Sequence, residues 1–203
     1  MKPTFTTLII LTVLTIELLI PFVFSPVYIP MIRESNFDFL QVLQGEIYKQ
    51  ITGYLSLIFV ILEMVLTARK RGKTWKLKIK IPGSIQFWRV LHIFLGVGLL
   101  ANVAIHTLGA RGLNFNAVFL WVFFGVTLSA LVGVFAETGF LESPQRYFNF
   151  GWQSSNSTNQ SPGIPKGLLI KNLRQIWLNT HIFLVSIFCV MLVFHIFLAY
   201  FYQ

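Results

Sequence analysis

Four histidines form two pairs with the same spacing along the chain. His92 and His106 are fourteen residues apart, and so are His181 and His195. In an α-helix a step of fourteen residues turns by ~1400°, about 40° short of four full turns, and rises ~21 Å along the axis. Each pair therefore places two imidazoles on one face of a helix at two separate depths, a pattern that suits metal ligation or proton transfer.

The runs that contain these histidines are long enough to cross a lipid bilayer. The chain is 55% apolar and 11% charged, against about 25% charged residues in an ordinary soluble domain. A transmembrane helix needs about 20 predominantly apolar residues. We therefore predict an all-α integral membrane protein in which residues 1–203 form a single transmembrane domain. Its five spans are predicted at about residues 6–24, 48–68, 85–108, 116–136 and 177–202.

The basic residues predict how these spans are oriented. The net charge is +9, but apolar runs of this length indicate contact with membrane lipid, and we expect no nucleic-acid partner. Thirteen of the sixteen Lys and Arg residues lie at the N-terminus, in the connection from Arg69 to Arg89 and in the loop before the fifth span. The positive-inside rule then places the N-terminus in the cytoplasm and the C-terminus outside. The first run is expected to be a span and not a cleaved secretion signal.

Spacing and orientation together predict a cofactor. The third and fifth spans run in the same direction, so facing helices would bring His92 opposite His181 near the cytoplasm and His106 opposite His195 near the outside. Two facing imidazoles at each level suit axial ligation of a haem iron. One cysteine, Cys189, excludes a Cys-rich zinc or iron–sulfur site. We predict two haems b, with the four histidines as iron ligands.

Two other interpretations of the histidines are weaker. A histidine in a span can simply hydrogen-bond a neighbouring helix, but one spacing repeated on two parallel helices argues against this. A zinc ion would be short of ligands, because each level offers two imidazoles and no carboxylate lies at the same depth in either helix.

Arginines flank both predicted haem levels. Arg89 lies one turn before His92, Arg174 lies two turns before His181, and Arg111 follows His106. Guanidinium groups at these positions could pair with haem propionates. For Arg89 and Arg174 the orientation signal explains the charge equally well.

Glycines lie between the histidines of the third span. At Gly96 and Gly98 a missing side chain would let a macrocycle approach the helix backbone. Close packing of small residues against another helix explains them equally well. The same two interpretations apply to Gly125 and Gly133 in the fourth span.

On these residues the sequence resembles the dihaem b-type membrane cytochromes, in particular the ferric reductase-like transmembrane family that includes the NADPH oxidases. That family carries an H-x13-H pair on its third span and a second such pair, or nearly so, on its fifth, with a basic loop before the third. Arg89-x-x-His92 and Arg111-Gly112 are also similar to the first haem-binding helix of the quinol-oxidising cytochrome b, although the Pro-Glu-Trp-Tyr segment of that family is absent. The resemblance covers about residues 48–202.

The expected function is electron transfer between the two faces of the membrane. Spans two to five would form a four-helix bundle around two haems, with the first span outside it or against a partner. The sequence has no glycine-rich dinucleotide fingerprint, so electrons are expected from a separate subunit, a soluble carrier or a quinol. We expect an electron-transfer subunit of a redox complex that exchanges electrons with the quinone pool. The membrane would be a plasma (bacterial inner) or thylakoid-type energy-transducing membrane.

Three alternatives to this function remain. The chain could be a ferric reductase-like protein fed by a separate cytoplasmic dehydrogenase, a haem-free transporter whose histidines relay protons, or a structural subunit of a membrane complex. Glu63 and Glu137 are candidates for quinone protonation, but we favour interfacial carboxylates bonded to their neighbours. Glu17, deeper in the first span, is expected to contact a partner subunit or another polar group.

Two connecting segments have a character of their own. Residues 75–81 alternate apolar and basic side chains, as a half-buried strand would, although a solvated basic loop that sets the orientation is the favoured interpretation. Residues 151–163 are polar and of low complexity, which indicates a flexible loop.

Overall fold

A computed structural model of the chain describes residues 5–71, 82–109, 113–135, 147–148 and 164–201. These residues are all-α apart from two short antiparallel strands, β1 (Tyr147–Phe148) and β2 (Ile164–Pro165). The helices are α1 (Phe5–Ser35), α2 (Phe37–Gln44), α3 (Glu46–Arg71), α4 (Ile85–Thr107), α5 (Phe115–Phe135) and α6 (Lys166–Phe201). Residues 75–81 and 151–163 lie outside the described residues.

Five of the helices are long and apolar enough to cross a membrane, as predicted. Two of them extend well beyond the predicted spans: α1 ends at Ser35, and α6 begins at Lys166. Hydropathy detects apolar composition, whereas backbone hydrogen bonding continues through the polar first turns of α6 and past three prolines in α1. The span lengths were therefore underestimated at these two ends.

The helix α2 was not predicted, because its eight residues are far too few for a span. Asn36 starts it as an N-cap, and its side chain accepts a hydrogen bond from the backbone N–H of Phe39 at 3.2 Å. At the other end the N–H of Gly45 donates to the carbonyl of Val42. Both caps satisfy backbone groups that a short helix leaves unpaired.

The chain divides into two compact units, Met1–Leu120 and Trp121–Gln203. In the first unit α3 packs along α4, α1 also packs against α4, and α2 contacts α1 and α3. Leu100 of α4 is fully buried, and Leu99 and Asn102 are buried beside it. The first span thus packs against the third.

The junction of α1 with the end of α4 requires a glycine. Leu108 caps α4 in the left-handed conformation (φ 57°), and Gly109 follows at φ 124°. A Cβ on Gly109 would overlap the side chain of Ser25. The Tyr28 hydroxyl donates to the Leu108 carbonyl at 2.5 Å, which satisfies one of the carbonyls that the helix end exposes.

In the second unit, α6 contacts α5 through aromatic side chains and small residues. The rings of Phe123 and Phe188 have centroids 5.6 Å apart. Trp177 donates its indole N–H to the carbonyl of Ser129, and its ring fills the space that a side chain at Gly133 would need. Close approach of the indole to the α5 backbone therefore depends on a missing side chain.

Large apolar side chains cover the surface of the spans. Examples are Ile20 at 47% exposure, Val132 at 59% and Val193 at 68%. Exposing so much apolar area to water would be strongly unfavourable, at about 25 cal/mol per Å². Together with the lengths of the helices, this makes the chain an integral membrane protein whose helices contact lipid.

Candidate functional site

His106 lies near the end of α4, and α3 holds its ring. Thr52 Oγ1 lies 2.8 Å from Nδ1 of His106, and the same hydroxyl donates to the carbonyl of Tyr48 at 2.7 Å. A hydroxyl has one proton. When that proton goes to this carbonyl, the oxygen accepts from an Nδ1–H of the imidazole, and Nε2 is then the nitrogen with the lone pair.

His181 on α6 has the same arrangement with α5. Ser129 Oγ lies 2.7 Å from Nδ1 of His181, and it donates to the carbonyl of Val126 at 2.6 Å. When the serine proton goes to that carbonyl, the oxygen accepts from an Nδ1–H, as at His106.

Trp177 fixes the orientation of the His181 ring. The two rings stack with centroids 6.0 Å apart and an interplanar angle of 24°. Because the indole also donates to the backbone of Ser129 and lies against Gly133, the stack is anchored to α5 at two points. Rotation of the imidazole would disturb this stack and its contact with Ser129 Oγ.

His92, in the first half of α4, pairs with a carboxylate instead of a hydroxyl. Its Nδ1 contacts a carboxylate oxygen of Glu63 on α3. The Glu63 side chain is 12% exposed and that of His92 is 36% exposed. An ionised carboxylate only accepts hydrogen bonds, so a hydrogen bond at this contact would need its proton on Nδ1. The favoured interpretation of Glu63, a carboxylate bonded to a neighbour, agrees with this contact.

Both histidines of α4 therefore contact the same helix, α3. This agrees with the prediction that the fourteen-residue step keeps them on one face. On α6, His195 follows His181 at the same spacing, and both side chains are half-buried. Because α4 and α6 belong to different compact units, the pairing of His92 with His181 and of His106 with His195 stays a prediction.

A row of polar contacts between α3 and α4 was not predicted from the sequence. Buried Asn102 donates to the carbonyl of Thr52 at 2.9 Å and to the hydroxyl of Ser56 at 2.6 Å. Lys49 donates to the backbone carbonyl of His106. The sequence does contain a pattern that predicts these contacts. Polar residues recur at steps of three or four along an otherwise apolar span, and that step keeps them on one helical face.

The structure describes two of the three predicted arginines. Arg89 is exposed on α4, and Arg174 is exposed on α6. Arg111 lies outside the described residues, as does Glu137. Their pairing with propionates stays a prediction.

The two glycines of α4 face α3. A Cβ on Gly98 would lie 3.0 Å from Cε1 of Phe59, and one on Gly96 would lie 3.6 Å from Oε1 of Glu63. Helix packing therefore accounts for Gly98, and Gly96 leaves room beside the carboxylate. A role of either residue beside a macrocycle stays a prediction.

Glu17 has no polar partner within the described residues. Its side chain is exposed on α1, and neither a hydrogen bond nor an ion pair reaches it from the part of the chain that the structure describes. Contact with a partner subunit at this position stays a prediction.

No group of three or more His, Cys, Asp or Glu side chains in the described ranges comes together to hold a metal ion. Comparison of the chain with protein families, curated proteins and solved structures gives no match.

Proposed function

We propose that the chain is a dihaem cytochrome b subunit that carries electrons across its membrane. One observation carries the proposal: Nδ1 of His92, His106 and His181 each meets a side-chain oxygen on a neighbouring helix. Metal-ligating histidines have this feature, because the second nitrogen is held by an acceptor that fixes the tautomer and the ring orientation. Histidines that merely join helices have no need to use the same ring nitrogen at three positions.

In the proposed site His92 and His181 would hold one haem, and His106 and His195 would hold the other. Haem, when bound, supplies reversible one-electron chemistry. The chain's own groups would hold the ligands in place. The side-chain oxygens on α3 and α5 that meet Nδ1 would orient the rings and raise the basicity of their Nε2 atoms. Candidate partners for the propionates are Arg89, Arg111 and Arg174.

The setting of the protein is part of the same proposal. The distribution of basic residues supports an N-terminus in the cytoplasm. A small haem-bearing chain would exchange electrons with the quinone pool and with other subunits of a redox complex, in a plasma or thylakoid-type energy-transducing membrane. Exposed Glu17, at a depth where lipid would not stabilise a carboxylate, supports a protein partner.

The direct test is the absorption spectrum of the full chain purified in detergent, first oxidised and then reduced with dithionite. We expect the Soret and α bands of b-type haem and two haems per chain by pyridine haemochromogen assay. A colourless protein would contradict the proposal and would favour a proton-relay transporter or a structural subunit.

Two variants test the ligand geometry. His106→Ala is expected to lose about half of the bound haem if the two levels bind independently. Ser129→Ala removes the hydroxyl that contacts Nδ1 of His181 and is expected to weaken haem retention about 10- to 100-fold, as is typical when a group that holds a metal-binding histidine is removed. Its matched control is Ser186→Ala, because the Ser186 hydroxyl donates only to the carbonyl of Ile182 in its own helix, at 2.8 Å.

A further inference from the structure

The two histidines of α4 have oppositely charged groups beside them, and both groups come from α3. At His92 the carboxylate of Glu63 contacts Nδ1. At His106 the partner of Nδ1 is the neutral hydroxyl of Thr52, and the ammonium group of Lys49 donates to the backbone carbonyl of the same histidine. One helix thus offers a negative charge at one level and a positive charge at the other.

Charges at these positions act on a redox equilibrium in a known direction. Reduction of a haem bound at one of the two histidine levels would add one electron and so remove one positive charge there. No bond would form or break. A carboxylate beside the ligand therefore stabilises the oxidised form, whereas an ammonium group stabilises the reduced form. At an effective dielectric constant of about 20, a unit charge several ångströms away changes such an equilibrium by about tenfold or more.

The carboxylate also acts through the ligand itself. An Nδ1–H that donates to a carboxylate makes the imidazole more basic than one that donates to a hydroxyl. A more basic ligand favours the oxidised metal, so this effect has the same sign as the direct effect of the charge. Exposed Arg89, one turn away, opposes it weakly, since solvent screens an exposed charge far more than the largely buried Glu63.

We infer that Glu63 and Lys49 set the order of the two redox potentials, with the His92 level lower and the His106 level higher. This inference rests on the proposed function, because it needs a haem at each level. Its consequence is that an electron shared between the two levels resides mainly at the His106 level. Glu63 is then a positioning and tuning residue that acts through His92.

The test is an equilibrium redox titration of the purified holoprotein, followed at the α band with dithionite as reductant. The unaltered protein should show two one-electron steps at least tenfold apart, which corresponds to about 59 mV. Glu63→Gln keeps an acceptor oxygen for Nδ1–H but removes the charge. At a given potential this variant should raise the reduced-to-oxidised ratio of the lower step at least tenfold. It should change the same ratio of the upper step by less than threefold.

Lys49→Met is the complementary variant, and Ser186→Ala is the matched control. Loss of the ammonium group should lower the reduced-to-oxidised ratio of the upper step threefold or more and leave the lower step unchanged. The Ser186 hydroxyl donates only to the carbonyl of Ile182 in its own helix, so both steps should stay where they are in the control. The comparison separates loss of the charge at Lys49 from the effect of a substitution outside the proposed site.

Two further variants assign the steps and guard against loss of haem. His106→Ala should leave one haem, titrating with the lower step. Glu63→Asp retains the charge and should titrate within threefold of the unaltered protein even if Glu63→Gln binds one haem fewer. Coinciding steps, a lower step indifferent to Glu63→Gln, or an upper step remaining in His106→Ala would each overturn the inference. A protein without haem would instead overturn the proposed function.

Discussion

Substitution of Gly133 by alanine tests the packing of α5 against α6 without reference to any cofactor. A Cβ at this position would lie deep inside the van der Waals radius of the Trp177 ring. The indole would have to retreat by roughly 1 Å or more to reach an ordinary carbon–carbon distance. That movement pulls its N–H away from the carbonyl of Ser129 and disturbs its stack on His181.

The expected cost can be worked out from these contacts. Overpacking a closely packed position costs about 1–3 kcal/mol, and weakening one hydrogen bond adds about 1 kcal/mol. For a chain of this size each kcal/mol lowers the melting temperature by about 2–4 °C. We therefore expect Gly133→Ala to lower it by about 4–16 °C.

The assay is thermal unfolding of the full chain in detergent, followed by circular dichroism, with Gly125→Ala as the matched control. Gly125 is on the same helix, but a Cβ there would lie 3.7 Å from Cδ2 of Leu184, an ordinary contact. We expect the control to melt within about 2 °C of the unaltered protein, because no neighbour has to move. Equal melting temperatures for the two variants would refute the placement of the indole against Gly133.

Three other substitutions test the first unit. Asn102→Leu removes both donors of the buried amide and should destabilise the protein by about 1–2 kcal/mol, whereas Thr107→Val, whose hydroxyl bonds only within its own helix, should change the melting temperature little. Gly109→Ala should lower the melting temperature by several degrees, because it combines a strained φ with overlap onto α1. An unchanged melting temperature would show that α1 does not pack against Gly109. Tyr28→Phe should cost about 1 kcal/mol in the same unfolding assay, and a stabilised variant would contradict the hydrogen bond to the end of α4.

The parts of the structure that depend on local properties were predictable from the sequence. Span number follows from runs of apolar residues, and the common face of His92 and His106 follows from the helical repeat. The acceptors Thr52 and Ser129 were missed, because they depend on how each helix is rotated toward its neighbour. Such rotation is a tertiary property that a single hydropathy pattern does not contain.

The polar row on α3 also bears on how the protein enters the membrane. This helix is the least apolar of the five spans. Its residues Lys49 and Glu63 each carry an insertion penalty of a few kcal/mol when no partner is present. The groups that meet them are on the next span, His92 and the carbonyl of His106. During synthesis α3 therefore gains a stable place in the bilayer only when α4 emerges beside it, and the two spans behave as one helical hairpin in biogenesis.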